Sequence, residues 1–338
     1  MFNTVIDTLA AAKRIVVIQA ENPDGDSLGS SLALEEILGD LGKEVILYCA
    51  IEIPKYLRYV KGWDRVTYEW PNNADAAIIV DTSSSTLLVK TFQVRGLLSF
   101  LESHPVIVLD HHKDMESDMP FDHEFIAHPA AVSTSEVIYE MTQQAGWTVN
   151  AQAAEHMLIA MLSDSLGLTT PNTAAESYQV AADLVKLGAV PSVIENRRRE
   201  FMKKPAEILE YKGRLIERIE YSLDGKLASV HIPWDEIEKY SDKYNPSVLV
   251  IDEMRLVEGV EVAIALKTYP DGKITGKLRA NVPVAQAIAG YFGGGGHKYS
   301  AGFKLYESYD KVMSELIDAT HKALAELEKE TEKDGEVA

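Results

Sequence analysis

Short apolar runs recur along the first part of the chain, and segments with helical spacing of apolar residues lie between them. The runs are rich in β-branched residues, which is typical of strands in a parallel sheet covered on both faces. Between the first two runs, Ser27–Gly42 has leucine and isoleucine near helical spacing and predicts a helix. This alternation predicts an α/β fold with an open, doubly wound, mainly parallel sheet. The predicted strands are Arg14–Gln19, Glu44–Cys49, Ala76–Asp81 and Val106–Asp110.

The middle of the chain has a mainly helical pattern. Apolar periodicity predicts three helices, and the charged segment Ile194–Ile219 predicts one long connecting helix after them. We place the domain junction there, with a first domain over residues 1–190, a helical linker over 191–217 and a second domain over 218–338. The three helices are Ser135–Ala145, Ala151–Leu166 and Ala174–Leu187.

Strand-like alternation returns in the second domain. Asp271-Gly272 joins two of its predicted strands and is typical of a tight hairpin. Helical patterns follow at Val282–Ala289 and Ser308–Glu330, with the glycine-rich segment Gly290–Gly302 between them. We therefore expect a smaller α/β domain with a mixed sheet. Its predicted strands are Lys226–Ile232, Val260–Thr268 and Lys273–Asn281.

Composition restricts the partners. The chain has 338 residues, of which 46% are hydrophobic, so it is long enough for two domain cores. Its net charge is -19, whereas a surface for long duplex nucleic acid is normally basic. Long duplexes and anionic membranes are therefore disfavoured as partners. A small phosphorylated substrate remains compatible, because bound metal ions reverse the local sign of the field.

Cysteine usage and hydropathy point to a reducing compartment. Cys49 is the single cysteine, so neither a disulfide within the chain nor a multi-cysteine zinc site can form. The first residues predict a short helix and then a strand, which does not fit a signal peptide. Since no stretch of about 18 apolar residues occurs, we expect no membrane span. We expect the protein in the cytoplasm.

Acidic residues and histidines follow several predicted element ends. In an open α/β sheet, ligands bind outside the carboxyl ends of the strands, so the three clusters that follow or end strands should meet at one edge. Carboxylates brought together repel unless a cation lies among them. Oxygen ligands with one or two imidazoles suit Mn²⁺ or Mg²⁺. The clusters are Asp24-Gly25-Asp26, Asp81-Thr82-Ser83, Asp110-His111-His112 and Ser163-Asp164-Ser165.

Each cluster also has an ordinary structural explanation. Asp24-Gly25-Asp26 alone is more often a turn with a helix cap, and Asp81 alone could cap the next helix. His111 and His112 could be ordinary loop residues. The coincidence of all the clusters at element ends favours a metal site over these separate explanations.

The glycine-rich segment offers a second kind of site. Consecutive glycines expose backbone N–H groups and permit positive φ, which can form a nest for an anion. His297 and Lys298 add donors for a phosphate. A flexible loop would explain the glycines alone, but the adjacent histidine and lysine favour a binding loop. The consecutive glycines are Gly293, Gly294, Gly295 and Gly296.

These residues resemble the motifs of a known family. Asp110-His111-His112 resembles the motif that names the DHH phosphoesterases. Residues 22–30 are similar to the first motif of that family, Asp81 to its second and Asp164 to its fourth. Residues 131–136 are similar to the Ser/Thr-rich segment that precedes a helix after the third motif.

The second domain carries its own resemblance. Gly293–Gly302, preceded by Lys277-Leu278-Arg279, resembles the Gly-Gly-Gly-His segment of the DHH-associated C-terminal domain. The pairing implies a DHH catalytic domain followed by a DHH-associated substrate-binding domain, with the active site in the cleft between them. It is similar to the subgroup of nanoRNases, 3′-phosphoadenosine 5′-phosphate (pAp) phosphatases and cyclic-dinucleotide phosphodiesterases.

The resemblance implies two Mn²⁺ ions bridged by Asp81, with Mg²⁺ or Co²⁺ as alternatives. His112 would contact the phosphate and act as acid or electrostatic stabiliser. Arg279, the four glycines, His297 and Lys298 would hold a substrate phosphate, with Arg279 also stabilising charge during catalysis. The remaining metal ligands would be Asp26, His111 and Asp164 for one ion, and Asp24 for the other.

Two positions depart from the family pattern. The family usually has His four residues before the first Asp of Asp-x-Asp, and Ala20 stands at that position here. One metal position therefore lacks an imidazole, for which Gln19, Glu21 or water could compensate. The second motif, Asp81-Thr82-Ser83, lacks the usual Gly and second acid. We expect a weakened metal position, an altered metal preference or weak activity.

The implied reaction is in-line attack on phosphorus by hydroxide generated at the metal ions. Substrates would be short single-stranded RNA or DNA oligonucleotides, pAp or cyclic dinucleotides, and the resemblance allows a homodimer. A nucleotide-binding or sensory protein weakened in catalysis is the alternative that Ala20 supports. A manganese inorganic pyrophosphatase is a further alternative, although such enzymes usually carry a basic patch in the second domain instead of the glycine-rich segment.

Overall fold

The computed structural model of the protein describes residues 1–71, 73–112 and 116–335, without the side chains of His297 and residues 330–335. The chain divides into two compact units, Met1–Lys203 and Lys204–Ala338. Among the described helices, none is both long enough and apolar enough to cross a membrane.

The first unit is built on a five-stranded parallel sheet in the order β2-β1-β3-β4-β5. The predicted α/β architecture and all four predicted strands of this unit are confirmed. The fifth strand was not predicted. The strands are β1 (Arg14–Gln19), β2 (Glu44–Tyr48), β3 (Ala76–Val80), β4 (Val106–Asp110) and β5 (Glu124–Ala127).

Helices cover both faces of this sheet, so alternate residues of each strand enter two separate cores. Val17 on β1 belongs to the hydrophobic core on one face of the sheet, whereas Ile18 belongs to the core on the opposite face. Burying each such side chain contributes about 1.5–3 kcal/mol. The helices of this unit are α1 (Asn3–Ala11), α2 (Gly25–Asp40), α3 (Val89–Gln93), α4 (Leu97–Ser103), α5 (Thr134–Ala145), α6 (Ala151–Asp164), α7 (Ala175–Lys186) and α8 (Pro191–Phe201).

The single connecting helix predicted over Ile194–Ile219 is wrong. The segment forms two helices, α8 and α9 (Ala206–Glu217), which are separated by residues 202–205. Pro205 precedes α9 and disfavours helical backbone at the residue before it. The interruption coincides with the boundary between the two units, and the domain limits inferred from the sequence stay a prediction.

The second unit contains a six-stranded mixed sheet in the order β10-β11-β9-β8-β7-β6, as predicted for a smaller α/β domain. β7 and β8 pair in parallel and the other pairs are antiparallel. The strands are β6 (Glu220–Ser222), β7 (Leu227–Ile232), β8 (Val262–Thr268), β9 (Lys273–Ala280), β10 (Gly295–His297) and β11 (Ser300–Tyr306). The helices after α9 are α10 (Trp234–Tyr240), α11 (Ile251–Arg255), α12 (Ala285–Tyr291) and α13 (Tyr309–Gly335).

The glycine-rich segment contains β10 and the start of β11, although its pattern predicted a loop. β10 and β11 form a hairpin within it. A Cβ added at Gly294 would lie 2.2 Å from the Gly302 carbonyl oxygen, and one at Gly296 would lie 2.6 Å from the Ala301 Cα. Close approach of the two strands therefore requires glycine at these positions.

Candidate metal centre

The sheet of the first unit brings the predicted ligands together at its carboxyl edge. Asp26 lies in the first turn of α2, directly after β1, and Asp81 follows β3. His111 follows β4, and Asp164 is the last residue of α6. We call these residues the acidic cluster: Asp26, Asp81, His111 and Asp164.

His111 Nε2 lies at the centre of the acidic cluster. It is 3.5 Å from Asp26 Oδ2, 3.6 Å from Asp81 Oδ1 and 3.4 Å from Asp164 Oδ2. On the other side of the ring, Nδ1 is 3.3 Å from the Ala131 carbonyl oxygen, which assigns the proton to Nδ1. Nε2 is buried without a hydrogen-bond partner among the described residues. A ring held in this way presents its lone pair to a metal ion.

Asp26 is held in place by the N-terminus of α5. It is fully buried, and its Oδ2 accepts a hydrogen bond from the Thr134 amide at 2.7 Å. Its Oδ1 accepts from Ser30 Oγ at 2.9 Å and from the Ser135 amide at 3.3 Å. Burial nevertheless raises the pKa of Asp26, and the charge of Asp24 adds to the rise. The hydrogen bonds therefore fix the carboxyl group in place without fully offsetting its desolvation.

Asp81 takes a backbone conformation that is rare outside glycine. Its φ is 62°, and its amide donates to the Leu109 carbonyl at 2.9 Å. Thr134 Oγ1 donates to Asp81 Oδ1 at 3.4 Å. The left-handed backbone turns the chain directly after β3, and such strain persists where the surroundings over-determine it.

Burial and mutual repulsion disfavour the ionised forms of the carboxyl groups in the acidic cluster. Burial, followed by the charges of Asp26 and Asp24, raises the pKa of Asp81 well above its usual range. Burial and the charge of Asp26 raise the pKa of Asp164 to about 6. A divalent cation among the carboxylates would reverse this repulsion. The buried acids and the free Nε2 of His111 therefore fit a metal ion.

Asp24 caps α2 with only one of its two carboxylate oxygens. Its Oδ1 accepts from the amides of Asp26 and Ser27, both at 3.0 Å, and caps α2. Among the described residues, Oδ2 accepts no hydrogen bond. One oxygen therefore caps the helix, and the ligand role predicted for Asp24 would fall to the other oxygen.

His112 is more exposed than the acidic cluster and is paired with Asp110. Its Nδ1 is 2.7 Å from Asp110 Oδ1, which also accepts from the amides of His111 and His112. This hydrogen bond, against the opposing effect of burial, raises the pKa of His112 to about 9. The same partner lowers the pKa of Asp110 although its burial acts in the other direction. His112 is therefore a cation at neutral pH beside the cluster, and ligand atoms of Asp81, His111 and His112 lie within 4.8 Å of one another.

Asp110 and Glu136 were not predicted as site residues in their own right. Glu136 is buried and accepts from the Val132 amide at 2.7 Å and from Ser177 Oγ at 3.1 Å. These bonds hold the segment whose Ala131 carbonyl orients His111. The spacing from the Ser133 cap to Glu136 in the first turn of α5 is the sequence pattern that could have indicated this role.

Gln19 and Glu21, which could compensate for the imidazole missing at position 20, lie in different surroundings. Glu21 Oε1 accepts from the Thr91 amide at 2.8 Å, so this carboxylate is engaged at the start of α3. Gln19 is fully buried, and neither its amide oxygen nor its nitrogen has a hydrogen-bond partner among the described residues. Ala20 is buried and offers no ligand atom. The assignment of Asp24 and Asp81 to a second metal position stays a prediction.

The predicted phosphate-binding residues form a separate group in the second unit. Arg279 lies on β9, where its Nη1 donates to Ser300 Oγ and, at 3.1 Å, to the Leu278 carbonyl. Gly293, Gly295, Gly296 and Lys298 are exposed and Gly294 is half-buried, whereas the His297 side chain lies outside the described residues. The role of these residues stays a prediction.

Comparison with known proteins identifies relatives over nearly the whole chain. Residues 14–161 match the DHH family, N-terminal domain. The bifunctional oligoribonuclease and PAP phosphatase NrnA of Thermus thermophilus is 27% identical, with 94% of each chain covered. The protein of the same name from Bacillus subtilis is 23% identical over 94% of this chain and 97% of its own length.

A solved structure supports the fold. The exopolyphosphatase-related protein from Bacteroides fragilis superposes with a TM-score of 0.81 at 20% identity, covering 96% of this chain and 95% of its own. At this identity the likeness shows a shared fold for both units.

Proposed function

We propose that the chain, whose residues 14–161 match the DHH family, N-terminal domain, hydrolyses phosphoester bonds of short nucleotides with divalent metal ions. The observation that carries the proposal is the position of His111 Nε2, 3.4–3.6 Å from three carboxylates on separate elements. Such a set of one nitrogen and three oxygens suits Mn²⁺, with Mg²⁺ or Co²⁺ as alternatives, better than structural zinc.

Asp26, Asp81, His111 and Asp164 would hold the ion. A bound divalent ion supplies a Lewis acid and lowers the pKa of water into the neutral range. His112, whose Nδ1 is 3.8 Å from Asp81 Oδ1, would contact a phosphoryl oxygen and supply a proton or a fixed positive charge. Asp110 keeps that ring oriented.

The two metal positions would differ in affinity. The acidic cluster offers four side chains, whereas the second position has Asp81 and one oxygen of Asp24, with Ala20 in place of an imidazole. We therefore expect the cluster to fill first and the second position to fill together with a substrate phosphate, which adds oxygen ligands.

The substrate class follows from relatives and charge together. The relatives from Thermus and Bacillus are named for activity on oligoribonucleotides and PAP, and a relative from Listeria monocytogenes, 24% identical, is named cyclic-di-AMP phosphodiesterase. We propose short oligonucleotides, pAp or cyclic dinucleotides as substrates, with Arg279, Gly293–Gly296, His297 and Lys298 holding a phosphate. The net charge of -19 disfavours long duplexes, and we place the protein in the cytoplasm.

A substrate panel tests the proposal. The full-length protein is incubated with Mn²⁺, Mg²⁺ or Co²⁺ and with pAp, pApA, cyclic di-AMP or pyrophosphate, and the products are separated by chromatography. We expect turnover of at least one of the three nucleotides with Mn²⁺. Tight nucleotide binding without turnover would instead favour the sensory alternative, and cleavage of pyrophosphate alone would favour a pyrophosphatase.

A further inference from the structure

Positive side chains line one face of the sheet in the second unit. Along β9, burial alternates: Lys277 and Arg279 are half-buried on one face, and Leu278 is buried on the other. Lys277 lies opposite Ala265 on β8 and Arg279 opposite Ala263. Residues two apart on a strand are about 7 Å apart, so these two cations are neighbours.

Lys267 on β8 extends the same group. It lies two residues beyond Ala265, the partner of Lys277, and is therefore a diagonal neighbour of Lys277 on the same face. Its Nζ donates to Asn245 Oδ1 at 2.8 Å. We call Lys267, Lys277 and Arg279 the basic row.

The basic row has no ion-pair partner among the described residues. Other cations of the same unit do have acidic partners: Lys243 pairs with Glu207 and Arg218 pairs with Glu236. In a chain with a net charge of -19, three neighbouring unpaired cations are unexpected.

Charged groups on α11, which packs against β8 and β9, do not neutralise the row. Asp252 raises the pKa of Lys277 and of Arg279, but its nearest cationic contact is Arg255 Nη1, at 3.8 Å. Arg255 itself adds positive charge close to Arg279. The row therefore keeps an excess of positive charge.

Without a bound anion, the positive charges of the basic row repel one another. Burial lowers the pKa of Lys267 and that of Lys277, and each is lowered further by a cationic neighbour, Lys277 and Arg279 respectively. Small residues, Ala265 and Gly302, flank Lys277 on both adjacent strands. A bound anion would relieve this repulsion.

We propose that Lys267 and Lys277, beside Arg279, form a binding position for a second phosphate group of the ligand. The protein would then bind short nucleotides with an additional terminal phosphate more tightly than the same nucleotides without it. Lysine suits this role because it attracts phosphate as a point charge without a fixed geometry. The inference rests on the proposed function for the nucleotide nature of the ligand.

Two ligands that differ by one phosphate test the inference. A phosphorothioate-linked adenosine dinucleotide, with and without a 5′-phosphate, is titrated calorimetrically into the full-length protein with Mn²⁺. We expect the 5′-phosphorylated ligand to bind about tenfold or more tightly, as for a charge-assisted hydrogen bond. Lys277→Met should reduce this preference to about twofold or less and leave the affinity for the unphosphorylated ligand unchanged.

Matched variants separate the proposed position from general electrostatics. Lys277→Arg keeps the charge and should keep the preference. Lys273→Met removes a cation from the same face of the same strand, where Lys273 lies over the Tyr269 ring, and should also keep the preference. Should Lys277→Met fail to fold, Lys267→Met is expected to show the same loss.

Three results would overturn the inference: no preference in the wild-type protein, an equal loss of affinity for both ligands in Lys277→Met, or an equal effect of Lys273→Met. The failure of the proposed function is distinct, because it would be an absence of Mn²⁺-dependent turnover of any nucleotide in the panel, whichever ligand binds more tightly.

Discussion

The two units hold their charges in opposite ways. In the first, Asp26 is fully buried and fixed by two backbone amides and a serine, and its neighbours are fixed by elements of one sheet. In the second, Lys277 and Arg279 stand half-buried on a sheet face without ion-pair partners among the described residues. The carboxylate is fixed by backbone amides, whereas the cations of the second unit have no acidic partner among the described residues.

The difference follows from what each group would bind. Carboxylates that share a small cation must be within a few ångströms of one another, and backbone amides can hold them there although burial opposes their ionisation. Phosphates of a short nucleotide vary in position, so long side chains at a half-exposed face suit them. The comparison therefore predicts severe effects of substitution in the acidic cluster and graded effects around it.

The largest expected effect is that of Asp81→Ala. In the proposed site Asp81 would contribute to both metal positions, so we expect turnover with Mn²⁺ to fall more than about a hundredfold, beyond the loss typical of residues that only support a ligand. Product chromatography measures turnover, and equilibrium dialysis measures bound metal. Asp75→Ala is the matched control at the other end of β3, where the carboxylate accepts from the amides of Lys13 and Arg14. Equal turnover in Asp81→Ala and the wild type would remove Asp81 from the site.

Asp110→Asn should have the next largest effect. Asp110 orients His112 through a 2.7 Å contact and lies outside the acidic cluster itself. We expect turnover to fall about 10–100-fold, as for residues that position a catalytic group. Mn²⁺ affinity, measured by electron paramagnetic resonance, should change much less. If Mn²⁺ affinity fell as far as turnover, Asp110 would belong with the metal ligands. The expected difference between the acidic cluster and the residues around it would then be wrong.

Much of the first unit was predictable because its hydrophobic runs end in polar residues. Asp81 and Asp110-His111-His112 follow or end such runs, and parallel strands bring their ends to one edge. β5 was missed because Glu124–Ala127 is a short edge strand with one buried residue. The supporting roles of Asp110 and Glu136 depend on contacts that strand ends alone do not reveal.

The second unit was harder to predict in segments that lack a periodic pattern of apolar and polar residues. Consecutive glycines show no alternation of apolar and polar residues, so the strand β10 was not expected. The basic row was also missed, since Lys267 and Lys277 are ten residues apart and only the register of β8 and β9 makes them neighbours. Hydrophobic periodicity identifies elements, whereas register determines which charges meet.

Ala20→His tests whether the second metal position is weak for the reason given. A restored imidazole should tighten Mn²⁺ binding at that position by about tenfold, as one added ligand contact can. Titration calorimetry should then resolve a second ion before nucleotide is added. Ala20→Val is the control that adds bulk at this buried position without a ligand atom. An unchanged isotherm in Ala20→His would mean that position 20 does not face the metal.

The smallest effect is expected for Glu136→Gln, which tests how the first unit fixes His111. The amide keeps the shape of the side chain, and its oxygen can still accept from the Val132 amide. It replaces a charge-assisted bond by a neutral one, which costs about 1 kcal/mol. Because burial already raises the pKa of Glu136, part of that loss is offset.

We therefore expect the free energy of unfolding in urea to fall by about 1 kcal/mol or less, with a measurable loss of Mn²⁺ affinity because the Ala131 carbonyl is held less firmly against His111. Glu140→Gln is the matched control on the same helix, since Glu140 is partly exposed and lies 3.4 Å from His128. An exposed pair of this kind contributes about 0–1 kcal/mol, and its loss should leave metal affinity unchanged. If both variants weakened Mn²⁺ binding equally, the orientation of His111 would not depend on Glu136, and the rigidity of the acidic cluster would have to come from α2 and the strand ends alone.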